Sequence, residues 1–188
     1  MRRRTGVTFV TLISGALAVL AIGSYATADS GKKNLKSGDL SGYQENPDIS
    51  TSATGTFEIS IDDDARTLTY ELGYTGLEGS VLQAHIHFAK PAVNGGITLF
   101  LCSNLGNGPA GTPACPTTPT ATVTRTVGAA AILSPAAGTP SVNQGIPAGE
   151  AGWAELVAAL RAGHTYANVH SSVWPGGEIR AQINDKGA

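Results

Sequence analysis

The sequence predicts an all-β protein, an antiparallel β-sandwich or barrel, with one short helix at about residues 150–162. Two observations lead to this fold class. Apolar and polar residues alternate with a period of two along several short segments, as they do in strands that turn one face to a core. Glycine, proline and asparagine punctuate the gaps between those segments, and one stretch alone places its apolar residues at helical spacing.

Composition restricts the classes of function. The chain has 188 residues, of which 41% are hydrophobic and 14% are charged, so it is too apolar to be held open by charge. Its formal net charge is −2, whereas a general nucleic-acid binder carries a surplus of lysine and arginine. We therefore expect one folded domain with no nucleic-acid partner.

The first 28 residues have the three parts of a secretory signal peptide. Residues 2–4 are arginines, residues 7–22 are mostly apolar, and residues 26–28 form a small-x-small cleavage site. An uncleaved membrane anchor is the alternative, but the apolar run of about 16 residues is shorter than the ~20 that span a bilayer. We predict cleavage between Ala28 and Asp29, no membrane span in the mature chain, and a secreted or cell-surface location.

The mature chain begins with a polar segment and then a hairpin. Residues 29–38 are polar and rich in lysine, which predicts a loose lead-in to a domain over residues 39–184. Residues 57–61 and 68–74 both alternate apolar with polar residues, and the polar segment 62–66 joins them as a turn. That turn is acidic but lacks the ligand spacing of an EF-hand loop, so we interpret it as a solvated turn.

Five strands and one helix are predicted after the hairpin. The strands are at residues 81–88, 96–101, 121–127, 165–170 and 178–183. The helix covers residues 150–161, and Gly163 ends it. Its apolar positions at i, i+3, i+4 and i+7 are Trp153, Leu156, Val157 and Leu160. Residues 103–120 and 134–149 are rich in proline, glycine and threonine, which predicts long surface loops.

The two cysteines of the chain, Cys102 and Cys115, are predicted to form a disulfide, because paired cysteines in an exported protein are usually oxidised. The bridge would close a short loop and stabilise the fold by about 3 kcal/mol through loop-closure entropy. A redox-active pair would have C-x-x-C spacing, which this sequence lacks.

Three of the predicted strands combine an apolar face with a polar face, because side chains alternate across a strand. The polar residues are His85 and His87 on the first strand, Asn168 and His170 on the second, and Glu178 and Arg180 on the third. Imidazoles that converge in this way ligate Zn or Cu ions. If the strands are neighbours, His85, His87 and His170 share one Zn or Cu ion, with the carboxylate and guanidinium of the third strand beside it. The alternative is a polar face whose histidines only form hydrogen bonds.

Sequence motifs of common enzymes are missing from the chain. It has neither the G-x-S-x-G frame of a serine nucleophile nor a glycine-rich phosphate loop. The fourth histidine, His164, follows the predicted helix, where the helix dipole favours a cation, and we interpret it as structural. We therefore predict no catalytic residues and a protein that is not an enzyme.

Three segments, in order, resemble the CHRD domain family, which is named from chordin. Residues 40–62, LSGYQENPDISTSATGTFEISID, are similar to the family's opening motif, and residues 166–183, YANVHSSVWPGGEIRAQI, to its closing motif. Between them, AHIHF at residues 84–88 is similar to the family's A-H-I-H-G. The resemblance covers about residues 38–184. Phe88 and Ala181 replace glycines of the motifs, and residues 102–149 form a loop insertion longer than the usual link.

The resemblance implies an immunoglobulin-like β-sandwich and an extracellular protein. Since chordin binds secreted growth factors, it also implies a non-enzymatic binding module whose ligand is an unknown extracellular protein or glycan. The motif residues it carries over form either a site or a buried polar network. Beside the histidines, they are Gln44, Glu45, Pro47, Asn168, Glu178 and Arg180.

A single-site Zn or Cu protein is the competing interpretation of the same residues. Its most distant form would have redox activity like that of a copper-zinc superoxide dismutase, another β-sandwich with a His-x-His strand. The chain has four histidines, fewer than the bridged two-metal site of that enzyme requires. A cofactor is therefore either absent or limited to one Zn or Cu ion.

Overall fold

The computed structural model describes residues 32–133 and 144–184, and within them nine strands form one antiparallel sheet beside one short helix. The elements are β1 (Lys32–Ser37), β2 (Leu40–Ser41), β3 (Thr54–Asp62), β4 (Thr67–Thr75), β5 (Val81–Phe88), β6 (Gly96–Ser103), β7 (Ala121–Gly128), α1 (Trp153–Arg161), β8 (Thr165–Ser171) and β9 (Ile179–Asn184). The predicted all-β, sandwich-like architecture with one short helix is confirmed. The predicted signal peptide lies outside the described residues.

The order of strands brings the two ends of the domain together. The sheet runs β6-β5-β8-β9-β1-β3-β4-β7, and the short β2 pairs with both β3 and β9. Ser37 of β1 is the partner of Ile183 of β9. The outer parts of the sheet pack against each other across the core, where the Tyr70 hydroxyl of β4 donates a 2.6 Å hydrogen bond to the Leu101 carbonyl of β6.

The predicted hairpin is present as β3 and β4. The two strands pair from Thr54↔Thr75 to Asp62↔Thr67, and burial along β3 alternates from one residue to the next. Arg66 closes the turn with φ of +51°, in the left-handed region that tight turns require. The period of two in the sequence is therefore the period of the half-buried strand.

Residues 32–37 form strand β1, and the prediction of a loose lead-in was wrong for them. β1 pairs with β3 along five positions and with β9 at two. Leu35 is buried in the core. The segment has a single apolar residue, so hydrophobic periodicity gives no strand signal, yet ladder hydrogen bonds on both sides hold it.

The helix and the disulfide agree with the predictions. The four apolar helix positions are buried in the core, and Gly163, with φ of +71°, ends the helix as its amide bonds the Leu160 carbonyl. Cys102 and Cys115 form a disulfide that ties β6 to the following loop.

The segment 102–149 is not one long loop. It contains strand β7, which pairs with β4 along eight positions. Part of the second predicted loop, residues 134–143, lies outside the described residues. No helix in the described part of the chain is long and apolar enough to cross a membrane.

Candidate metal centre

Strands β5, β8 and β9 are neighbours in the sheet, as the histidine hypothesis requires. The Cα pairs His85↔Asn168 and Asn168↔Arg180 place one polar residue from each strand in a single row. The alternate residues belong to the hydrophobic core: Ala84, Ile86, Ala167, Val169, Ile179 and Ala181. The polar residues of the row therefore lie on the opposite face of these strands.

That opposite face is covered. All seven residues of β8 are buried, including its polar ones. Two loops, residues 42–48 and 89–95, lie against each other over it, because the Asn94 amide donates to the Asn46 carbonyl at 2.8 Å. We call this covered set of polar side chains the polar layer: Glu45, His85, His87, Tyr166, Asn168, His170 and Arg180.

A bulge near the start of β5 sets which residues enter the layer. The register with β8 shifts between Val81 and Gln83, so Val81 packs into the core and Leu82 is only partly buried. Strict alternation along residues 81–88 predicts Leu82 on the core face, but the bulge gives that place to Val81. Beyond the bulge the alternation holds, and both histidines of β5 face the polar layer.

The three predicted histidines converge. One ring nitrogen from each of His85, His87 and His170 lies within 4.8 Å of the others. The side chains are buried, with exposed fractions of 0%, 8% and 6%. Two nitrogen ligands at ~2.1 Å from one tetrahedral ion are ~3.4 Å apart, so a pair at the full 4.8 Å would close by about 1.4 Å around an ion.

Backbone carbonyls fix the orientation of two of the rings. His87 Nδ1 lies 2.9 Å from the Gly95 oxygen, and His170 Nδ1 lies 3.0 Å from the Pro175 oxygen. A carbonyl can only accept, so in each neutral ring Nδ1 carries the hydrogen and Nε2 carries the lone pair. Metal-bound histidines characteristically make this second hydrogen bond to a carbonyl or carboxylate.

Two ring nitrogens of the cluster differ from the third in their surroundings. The Nε2 atoms of His85 and His87 are buried without a hydrogen bond to any of the described residues. His170 Nε2 lies 3.2 Å from His85 Nδ1 and 3.1 Å from the Asn168 side-chain oxygen. A buried polar atom without a partner costs about 1–3 kcal/mol, a cost that a bound ion would offset. The 3.2 Å separation fits an N–H···N hydrogen bond from His85 Nδ1, which leaves the lone pair of that ring on Nε2.

Burial keeps the histidines neutral. It lowers the pKa of His85 to about 2 and the pKa of His87 to about 4, and the nearby His170 adds to both effects. Burial also lowers the pKa of His170. Neutral imidazole is the form that binds metal. As pH falls below about 6.5, the three histidines become protonated in the unfolded chain but stay neutral in the folded protein. Their protonation therefore favours the unfolded chain and lowers the free energy of unfolding.

Aromatic rings enclose the cluster. The Phe100 ring meets His85 edge-on at 4.4 Å between centroids, and the Tyr166 ring stacks on His87 at 4.7 Å. The Arg180 guanidinium lies over the other side of this stack, 3.4 Å from the Tyr166 centroid. Phe100 was not among the predicted site residues, because only the pairing of β6 with β5 brings it to His85.

The structure separates the two predicted carboxylates. Glu178 is fully buried, but its Oε1 accepts from the Thr51 hydroxyl at 3.0 Å and from the Glu78 amide at 2.9 Å. It therefore joins two loops at the start of β9, and the described residues of the three-histidine group do not include it.

Glu45 is the carboxylate of the polar layer. Burial raises its pKa to about 7, and the opposing effects of Arg180 and Asn168 are smaller. Gly177 allows its close approach, since a Cβ at that position would lie 2.6 Å from Glu45 Oε1. Gln44 is exposed and its amide donates to the Asp39 carbonyl, so it lies outside the layer.

The fold and this layer define an all-β domain that buries three converging histidines beneath two loops. The chain belongs to the CHRD domain family, whose sequence profile matches residues 37–183. This family is one of extracellular modules, and the disulfide is consistent with that location. No curated protein and no solved structure is significantly similar to the chain.

Proposed function

We propose that the protein is exported and acts outside the cell as a non-enzymatic module that binds an extracellular protein or a glycan. The match of residues 37–183 to the CHRD domain carries this proposal. Two features support it: the signal-like segment at residues 1–28 and the disulfide between Cys102 and Cys115.

Expression of the full chain in an exporting host tests the location. We expect mature protein in the secreted or surface fraction, with Asp29 as its first residue by mass spectrometry. An Ala28→Gln variant should slow the cleavage, because signal peptidase requires a small residue at this position. Full-length protein retained in the cytoplasm, with the wild-type signal intact, would contradict export.

We also propose that His85, His87 and His170 together bind one Zn or Cu ion. The convergence of three buried ring nitrogens within 4.8 Å supports this proposal most directly. The buried Nε2 atoms without hydrogen-bond partners among the described residues, and the carbonyl-bound Nδ1 atoms of two rings, support it independently.

Metal analysis of protein purified without a histidine tag tests the site. We expect close to one Zn or Cu per chain in wild-type protein, and loss of that metal in a His85→Ala/His87→Ala variant. His164→Ala is the matched control, because His164 is exposed and lies outside the cluster. No metal after reconstitution of folded wild-type protein would leave the three histidines as structural groups only.

A further inference from the structure

The proposed metal site has little negative charge around it. In the described part of the chain, its group of possible ligands consists of three histidines, which are neutral when they bind metal. Glu178 is not in this group, and its Oε1 accepts hydrogen bonds from the Thr51 hydroxyl and the Glu78 backbone amide. Glu45 interacts with Asn168 and Arg180, and it is not one of the ligand group. An ion at this site would therefore keep its full formal charge.

A fixed positive charge lies close to the same site. The Arg180 guanidinium is separated from His87 by the Tyr166 ring alone, with Arg180 and His87 on its two faces. Arg180 donates to the Asn94 side-chain oxygen at 3.2 Å and to the Val93 carbonyl at 2.9 Å, and both acceptors are neutral. The charged group that acts on the guanidinium is Glu45, and burial of that carboxyl favours its neutral form.

Both features favour an ion of low charge. The cost of moving an ion from water into a protein interior rises with the square of its charge, and repulsion by a fixed cation rises in proportion to it. Desolvation and repulsion by Arg180 are therefore both larger for a divalent ion than for a monovalent ion bound by the same three ligands. The charge on the ion thus decides which metal the site prefers.

The number of ligands has the same consequence. Zn²⁺ held by three protein ligands takes a water as its fourth, and a buried water needs polar partners of its own. Here the Phe100 and Tyr166 rings pack against His85 and His87, and Asn168 is the polar side chain beside His87 and His170. Cu⁺ is a closed-shell ion that is stable with three neutral nitrogen ligands and needs no fourth.

We propose that the three-histidine cluster selects the monovalent ion Cu⁺ over Zn²⁺. This inference rests on the proposed metal site and concerns only which ion the site prefers. No change in oxidation state is part of it, because the ion binds and leaves as Cu⁺.

An anaerobic competition experiment tests the preference. The full chain, stripped of metal, is titrated with Cu⁺ in the presence of bicinchoninate, and separately with Zn²⁺ in the presence of a colorimetric zinc chelator. We expect one Cu⁺ per chain and Zn²⁺ binding weaker by a factor on the order of 100 or more. Ag⁺, a monovalent ion that does not change oxidation state under these conditions, should displace Cu⁺ with the same stoichiometry.

Variants separate this inference from the site itself. Cu⁺ binding should be lost in His85→Ala/His87→Ala and kept in His164→Ala. Arg180→Met removes the fixed charge, so it should raise Zn²⁺ affinity more than Cu⁺ affinity, whereas Arg180→Lys should not. If Arg180→Met does not fold by circular dichroism, the wild-type competition alone decides.

The outcomes are distinguishable. Zn²⁺ binding that is tighter than Cu⁺ binding, and lost in the double histidine variant, would overturn the preference and keep the metal site. Binding of neither ion by folded wild-type protein would overturn both proposals.

Discussion

Strands β3, β4 and β7 form one part of the sheet, and β5, β8 and β9 form another. Both parts alternate polar with apolar residues, but their polar faces differ in exposure to solvent. Along β3, exposed or half-buried residues alternate with buried ones, so the polar face meets solvent. Along β8, all seven residues are buried, because two loops cover the polar face. Water satisfies polar groups on the first face, whereas on the second each must find a partner in the protein or in a ligand. The same sequence pattern thus gives a surface in one place and a candidate site in another.

The largest difference in stability between the two parts of the sheet should appear when one arginine is removed from each of them. Arg180→Ala removes a buried side chain, leaves a cavity and breaks the hydrogen bonds to Asn94 and Val93, and we expect it to lower the free energy of unfolding by about 3 kcal/mol or more. Arg125→Ala on β7, which is only half-buried, should cost less than about 1 kcal/mol. Urea unfolding measures both, and equal losses would show that the polar layer is no more constrained than the surface.

The disulfide should have the next largest effect. It ties the edge strand β6, which lies beside the histidine strand β5, to the loop that follows it. Cys102→Ser/Cys115→Ser should lower the free energy of unfolding by about 3 kcal/mol, because the unfolded chain regains the entropy of an open loop. Reduction of wild-type protein is the control and should give a similar loss. A change of a few tenths of a kcal/mol in both would contradict the loop-entropy account.

The pH dependence of the free energy of unfolding should show that Glu45 is buried on the covered face. Its pKa in the folded protein is raised to about 7 from 4.5, so its ionisation costs nothing below about pH 4.5 and costs most above pH 7. Glu45→Gln should therefore gain stability relative to wild type as pH rises, by up to about 3 kcal/mol between pH 4 and pH 9.

Glu71→Gln supplies the control for that titration, because Glu71 is exposed on β4 in the other part of the sheet. Thermal or urea unfolding across the same pH range compares the two variants. An equal dependence on pH in Glu45→Gln and Glu71→Gln would mean that Glu45 is solvated.

The smallest effect should come from an ion pair on the open face. Lys36 Nζ lies 2.7 Å from Glu58 Oε1, and both side chains are about half exposed. Lys36→Ala should cost no more than about 0.5 kcal/mol, and about 1 M salt should remove the difference from wild type. A loss several times larger that persists in salt would place this pair with the constrained residues of the polar layer.

Sequence was sufficient wherever local periodicity determines the structure. The alternation at 57–61 and 68–74 predicted the β3–β4 hairpin, and four apolar positions predicted the buried face of α1. The common strand face of His85, His87 and His170 predicted their convergence, because the strands that carry them are neighbours.

Sequence was insufficient wherever distant segments decide. β1 is held by backbone pairing with β3 and β9, which a polar segment does not reveal. The bulge after Val81 places Val81 in the core instead of Leu82, and the sequence does not reveal this because both residues are apolar. Glu178 finds its partners at Thr51 and Glu78, which are far from it in sequence, and no spacing rule connects them.

The pairing of β1 with β9 has a consequence for how the chain folds. β9 lies between β8 and the β1–β2 segment, so it joins the two parts of the sheet through contacts between residues far apart in sequence. Such contacts slow folding, because the chain loses the entropy of a long loop before the contacts stabilise it. Until β9 and β1 pair, each presents an unpaired backbone edge, which can pair with other chains and lead to aggregation.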